Sequence, residues 1–221
     1  MSAVTALKFH GSQIAVLVGF TADSPAPVIT GITQADPAVV SVTSHGLSDG
    51  DVVEISGVVG MTEVNNGRFI VDVLTSGTFA LRSVDSTGYG AWVSGGTFEL
   101  AEFSNFCNLT NYNQPGGTSP EIETTALCST AQEYLIGLPD FGTTQIDYNF
   151  VRNSAIELAL TDAYRDGSLT AVKVVLPEDH GTMVQMGFVQ QMSVTAGVGG
   201  KWDGSLTLRN TGAREDFDAA P

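Results

Sequence analysis

Residues Asn108 to Thr143 read NLTNYNQPGGTSPEIETTALCSTAQEYLIGLPDFGT, and the order of their features decides the fold. Pro115-Gly116-Gly117 is a turn, because proline presets φ and glycine admits the positive φ that a tight reversal needs. The acidic alternating strand around Glu121-Ile122-Glu123 follows, then a crossover loop, then a second alternating strand that returns over Gly142 to Val151. Side chains in a strand alternate faces with period two. Glu121 and Glu123 are therefore expected on one face with Ile122 on the other. Gln145, Asp147 and Asn149 share a face, with Ile146, Tyr148 and Phe150 opposite. Each strand reads as half wet and half buried, as in an antiparallel sheet with one solvated face.

Between these strands, Leu127 to Phe141 places Tyr134, Leu135, Ile136, Leu138 and Phe141 among the turn formers Gly137, Pro139 and Asp140. Many of these large apolar groups are expected to be exposed in a single chain, and a contiguous exposed apolar patch marks an interface. The alternative is a loop folded back on its own core.

Working outward, Thr5 to Phe9 and Gln13 to Phe20 flank His10-Gly11-Ser12 as a hairpin, and Ala22 to Pro27 is a linker with two prolines. From Val28 to Thr97 short β-branched runs (Ala38 to Thr43, Asp51 to Ile55, Arg68 to Leu74, Thr78 to Arg82) alternate with Gly, Asn and Asp turns, which predicts a small all-β module. Phe98 to Leu109 resumes the strand expected after Gln13 to Phe20, so the module is inserted in a loop. One helix is predicted, Ser154 to Asp166. Its stripe is Ile156, Ala159, Leu160, Ala163 and Tyr164, capped by Asn153 or Ser154 and stopped by Gly167. Leu169 to Leu176 and Thr182 to Thr195 are strands joined by a turn at Pro177 to Gly181. A final strand over Lys201 to Arg209 turns Lys201, Asp203, Ser205, Thr207 and Arg209 one way, and Trp202, Leu206 and Leu208 the other. The fold class is mainly β: a sandwich or barrel core with one α-helix over residues 1–24 and 98–214, an inserted all-β domain at 28–97, and a loose C-terminal tail at 215–221.

Composition narrows function. A 221-residue chain that is 43% hydrophobic can bury a core. Twenty-four acids against nine bases, a formal charge of −15, argue against nucleic-acid binding by phosphate neutralisation, which needs clustered Lys and Arg. Like charge would instead let DNA pass without sticking. The longest apolar run, Ile14 to Phe20, is far short of the roughly 18 residues of a membrane span and carries only Lys8 before it. Synthesis in the cytoplasm is expected.

Cys107 and Cys128 have no zinc-ligand spacing and are expected to be reduced and partly buried. His10, His45 and His180 each adjoin glycine in turns, where exposed structural histidine is the common case. Ser48-Asp49-Gly50-Asp51 has too few oxygen ligands for a calcium loop and reads as a hairpin turn. No catalytic residue, metal or cofactor is expected.

The order of turn, acidic strand, crossover, return strand, helix and glycine-rich final hairpin resembles the major tail tube proteins of long non-contractile-tailed (siphovirus-type) bacteriophages, over residues 1–24 and 98–214. The phrases ITGITQADPAVV (29–40), SHGLSDGDVV (44–53) and GVVGMTEVNNGRF (57–69) resemble a small module of phage structural proteins. It takes its name from the first catalytic-cysteine half-domain (FCCH) of ubiquitin-activating enzymes. The segment 28–97 contains no cysteine, so only the fold can carry over.

The tail-tube resemblance implies a virion structural protein of the phage tail that self-assembles into stacked hexameric rings, a conduit for DNA ejection. It implies lumen-facing Glu121, Glu123, Gln145, Asp147 and Asn149, and contacts between subunits through Tyr134, Leu135, Ile136, Leu138 and Phe141. The implied partners are copies of the same chain, tape measure, tail terminator and distal tail proteins, and phage DNA passing without sequence-specific binding; no membrane is involved. The inserted module should project outward, since it would block the channel. Two readings stand against this one. The first is a carbohydrate- or host-surface-binding β-sandwich adhesin using Tyr89, Trp92 and Tyr112. The second is a hydrolase using Cys107 or Cys128.

Overall fold

Alternation of β-branched and polar residues dominates the chain, and strands dominate its structure. A computed structural model describes residues 8–21 and 26–218. Gln13–Thr21 (β1) leads to five strands of the module: Ile29–Ile32 (β2), Ala38–Val42 (β3), Val52–Val59 (β4), Gly67–Thr75 (β5) and Thr78–Leu81 (β6). Ser94–Asn105 (β7), Leu109–Asn113 (β8), Glu121–Glu123 (β9), Tyr134–Ile136 (β10) and Thr143–Asn149 (β11) precede the helix Ala155–Asp166 (α1). Leu169–Val175 (β12), Thr182–Ala196 (β13), Trp202–Asn210 (β14) and Glu215–Phe217 (β15) follow it. The protein is mainly β with one α-helix among the described residues.

All but β9 and β10 belong to one antiparallel sheet ordered β2-β3-β6-β5-β4-β7-β1-β12-β13-β14-β11-β8, with β15 added beside β13. The module and the remainder share β7: Ser94 to Leu100 pairs with β4, and Leu100 to Asn105 pairs with β1. The sheet curls until Phe106, just past β7, meets Tyr148 of β11 with ring centroids 4.8 Å apart.

Three apolar clusters result. In the module, fully buried Phe79 stands edge-on to Phe98 (5.4 Å) and to His45 (5.4 Å), among Val40, Ile55, Met61 and Leu81. Under the helix, Ile156, Leu160 and Ala163 pack on Ile14, Val16, Ile146, Leu206 and Leu208. The third cluster lies at the junction, built from Leu17, Val52, Ile70, Ala101, Ala171, Val184, Met186 and Phe217.

Helix α1 forms where the apolar stripe, its cap and its stop coincide. Ser154 Oγ accepts the Glu157 amide at 3.1 Å, and Gly167 ends the helix in the left-handed region at φ 65°. Ser154→Ala is expected to cost about 1 kcal/mol by orphaning that amide. A urea midpoint that does not move would refute the cap. Tyr164, placed on the stripe by periodicity, is exposed; the helix turns only Ile156, Leu160 and Ala163 fully inward.

Four further expectations change. Of the strand Thr5 to Phe9, residues up to 7 lie outside the described residues, while Lys8 and Phe9 are not in a strand; Ala22 to Pro25 of the linker also lie outside them. Of the tail expected at 215–221, Glu215–Phe217 is a strand paired with Thr182 to Val184, with Phe217 buried, and residues 219–221 lie outside the described residues. Trp202 is exposed at the open end of β14, beyond the reach of the cluster that buries Leu206 and Leu208. His45 is buried: its Nδ1 accepts the Leu47 amide at 3.0 Å and its Nε2 donates to the Thr75 carbonyl at 2.7 Å, so both ring nitrogens are satisfied and structural.

Candidate assembly interface

From Cys107 to Thr143 no residue is fully buried, and beyond Leu109 and Tyr112 of β8, which pack in part on the helix-side core, the chain leaves the core altogether. Such a length of ordered chain outside the core needs its own backbone pairing, and it has it. Strands β9 and β10 form a separate two-stranded sheet in the register Glu121↔Ile136, Ile122↔Leu135 and Glu123↔Tyr134. The ladder extends inward through the Gly137 amide to the Pro120 carbonyl (2.8 Å) and the Thr118–Asp140 bridge, and outward through the Thr124 amide to the Glu133 carbonyl (2.8 Å). The result is a β-arm standing away from the main sheet.

Its base is held by polar side chains. Tyr112 Oη donates to Gln114 Oε1 (2.9 Å), and Gln114 Nε2 donates to Oε1 of buried Gln185 (3.0 Å). Gln185 Nε2 in turn donates to the carbonyls of Met186 (2.8 Å) and Gly212 (3.2 Å). Burial pushes the Tyr112 hydroxyl up to about 12 against the opposing effect of Arg214. On the return strand, Asp140 accepts the Gly142 amide (2.8 Å) and the Arg209 guanidinium (2.8 Å), which hold its carboxyl below the usual range.

The arm is rich in exposed apolar groups: Ile122, Leu127, Tyr134, Leu135, Ile136 (79% exposed), Leu138 (88%) and Phe141. Ile122 is not turned into a core as alternation suggested, because the arm has no core beneath it. Residues directly opposite in an antiparallel pair share a face. Glu121 and Glu123 therefore stand on the same face as Ile136 and Tyr134, while Ile122 and Leu135 occupy the other. Sequence assigned the acids and these two apolar residues to different surroundings; the register joins them.

Gln145, Asp147 and Asn149 are brought together, but on β11 of the main sheet and not on the sheet of Glu121 and Glu123. Asp147 accepts from Ser205 Oγ (2.7 Å) and Asn111 Nδ2 (3.2 Å), and Asn149 accepts from Lys201. Pairing extends this polar face to Asn111 and Asn113 on β8, Asp203, Ser205 and Thr207 on β14, and Gln191, Ser193 and Thr195 on β13. The β8 and β13 members were missed; their period-two alternation could have found them. The opposite side of the same strands carries Ile146, Tyr148, Leu206 and Leu208 under α1.

Both cysteines are free and exposed, in contrast to the expected partial burial. Among the described residues no group of three His, Cys, Asp or Glu could hold a metal. Asp49 and Asp51 serve the turn, with Asp49 accepting the Val73 amide and Asp51 accepting the Ser48 amide while pairing with Lys173. Tyr89 and Trp92 pack on the module core, Tyr112 on the helix-side core, so the three aromatics form no common surface. No helix among the described residues is long and apolar enough to cross a membrane.

Residues 36–101 match the ubiquitin-activating enzyme E1 FCCH domain. The match falls on the segment whose phrases resemble that module. No curated protein matches the chain. Similar solved structures include the tail of an empty GTA particle with C6 symmetry, at 15% identity and TM-score 0.44, covering 52% of this chain and 86% of that one. The SPP1 tail tube is similar at 17% identity and TM-score 0.42, covering 54% and 70%. The six-fold symmetrised baseplate of the anti-feeding prophage is similar at 10% identity and TM-score 0.42, covering 80% and 97%.

Proposed function

We propose that this protein is a virion structural protein, the major tail tube subunit of a long non-contractile phage tail, and that it self-assembles into stacked hexameric rings through which DNA is ejected. The observation that carries the reading is the arm: a paired, ordered hairpin with seven large apolar side chains exposed and no core of its own. In water such a surface is unfavourable by about 25 cal/mol per Å² of apolar area, which docking on a second subunit removes. The main sheet also ends in the unpaired edge of β8, beside the arm's root, and lateral joining of sheets would cover it.

In that assembly the polar face of β8, β11, β14 and β13 lines the lumen, with Gln145, Asp147 and Asn149 on it. Glu121 and Glu123 extend the acidic lining along the arm. Ile122, Leu135, Leu138 and Phe141 make the contact between subunits, and Tyr134 and Ile136 border both surfaces. The FCCH-like module, at the other end of the strand order, faces outward. Tape measure, tail terminator and distal tail proteins are the partners of the tube subunit in the virion. No cofactor or catalytic group enters the mechanism.

Negative-stain electron microscopy of the purified protein at increasing concentration tests the reading. Hollow tubes are expected; persistent monomers at all concentrations, with or without tail partners, would overturn it. The lining has its own test. Glu121, Glu123 and Gln145 are exposed, so replacing all three with Lys should leave the fold intact. The variant's tubes should then retain double-stranded DNA at low salt and release it as salt rises, by counterion release. If they pass DNA as freely as unmodified tubes, these residues do not face the channel.

A further inference from the structure

The junction between module and core is built as a closed object, and β15 closes it. The third apolar cluster draws side chains from β5 (Ile70), β4 (Val52), β7 (Ala101), β1 (Leu17), β12 (Ala171), β13 (Val184, Met186) and β15 (Phe217). These seven strands are consecutive neighbours in the order β5-β4-β7-β1-β12-β13-β15. A run of adjacent strands that all point into one cluster must curl around it, and its two ends then approach each other.

They do, and side chains bridge the gap. Glu215 Oε1 accepts a hydrogen bond from Ser83 Oγ at 2.6 Å, and the Arg82 guanidinium lies 5.2 Å from the centre of the Phe217 ring. The Arg82 backbone amide is bonded to the Ile70 carbonyl of β5 (2.9 Å), so these contacts tie β15 to the module's strands. Arg82 Nε lies 3.2 Å from Asp72 Oδ2, an ion pair without hydrogen-bond alignment. Gly50 completes the fit: a Cβ there would lie 3.0 Å from the Phe217 ring, and its φ of 76° already favours glycine. On the far side of the cluster, Lys173 of β12 pairs with Asp51 at 3.1 Å and Arg68 of β5 donates to the Leu169 carbonyl.

We propose that β15 is a clasp that closes a small barrel shared by module and core, and so fixes the angle at which the module is carried. The other two clusters contain no residue of β15. Opening the clasp therefore leaves both units folded and joined along β7 and through the Lys173–Asp51 and Arg68–Leu169 contacts, with the angle of the module loosened. This holds whether or not the protein builds a tube.

Native-state hydrogen exchange on the full chain, comparing the unmodified protein with Phe217→Ala, tests it. Amides of segments 50–53, 68–71, 82–84 and 182–186 are expected to exchange at least about 10-fold faster, while those of β3, β6, β11, β14 and α1 keep their rates. Unchanged rates throughout would show that β15 closes nothing. Uniform acceleration of every strand would show one cooperative core with no separable clasp, which also overturns the proposal. A Ser83→Ala, Glu215→Ala double variant, which keeps the ring, should give the same pattern in weaker form, and Phe217→Leu should restore most of the protection.

Discussion

Chains carrying Leu135→Asp and Ile136→Asp are expected to stay monomeric at concentrations where the proposed assembly has the unmodified protein form tubes, with a melting temperature within about 2 °C of the original. The two halves of this result have one cause. Leu135 and Ile136 are 59% and 79% exposed in the single chain, so replacing them removes little burial there and should barely alter folding. In an interface each side chain contributes roughly 1.5–3 kcal/mol by leaving water. An unpaired carboxylate taken into the same place costs more still. Losing the apolar terms alone weakens association by about 10²- to 10⁴-fold, and repetition around a ring compounds the loss. Sedimentation velocity and negative-stain microscopy would measure it. Leu74→Asp is the control: it is 53% exposed on β5, in the module, and should leave assembly intact. Tubes from the arm variant at ordinary concentration, or a large drop in its melting temperature, would each remove the arm from the interface.

What could be read from the residues, and what could not, divides along the range of the forces involved. The helix was legible because its signals are local: Ser154, the spacing of Ile156, Leu160 and Ala163, and Gly167 all act within four turns of chain. The strands β3, β5, β6, β12 and β13 were legible to within about two residues from short β-branched runs bounded by turn chemistry, even where, as in β6 and β12, both faces are covered. Tyr164 and Trp202 were misplaced because periodicity gives direction and says nothing of where the opposing layer ends. Phe217 was misread for a related reason. Three residues after a polar turn carry no period to measure, and only the three-dimensional nearness of Gly50, Arg82 and Val184 makes a strand of them.

The candidate site was half legible by the same logic. Exposure of Tyr134 to Phe141 followed from apolar residues among turn formers, which no local element could bury. The sharing of a face by Glu121 with Ile136 did not follow, because facing depends on cross-strand register. A hairpin tip of eight residues leaves that register open until the pairs are seen. The same is true of the polar face on the main sheet. Each strand's wet side was readable alone, but the alignment of four such sides needs the strand order β8-β11-β14-β13.

Phe79→Ala is expected to cost about 3–5 kcal/mol and to leave tube assembly standing, and the pairing of these outcomes is the informative part. Phe79 is fully buried, edge-on to both Phe98 and His45, so truncation opens a cavity that Val40 and Leu81, already close-packed, cannot fill by relaxing. The damage should spread along β5 and β4 into the shared cluster through Ile70 and Val52, loosening the module on its clasp. It should stop at β7, whose residues beyond Leu100 are held by β1 rather than by the module. The polar face lies at the opposite end of the strand order, on β8, β11, β13 and β14, and the arm of β9 and β10 follows β8 in the chain as a separate sheet. Urea unfolding followed at Trp92 in a Trp202→Phe background should therefore show the module melting early, while the helical circular-dichroism signal of α1 moves little. Tubes should still form, at a critical concentration raised less than about 10-fold. Loss of tubes with the α1 signal intact would make the module a part of the ring contact and not a passenger on its outer surface. Coincident early loss of both signals would mean that the shared strand β7 makes the two units one cooperative fold.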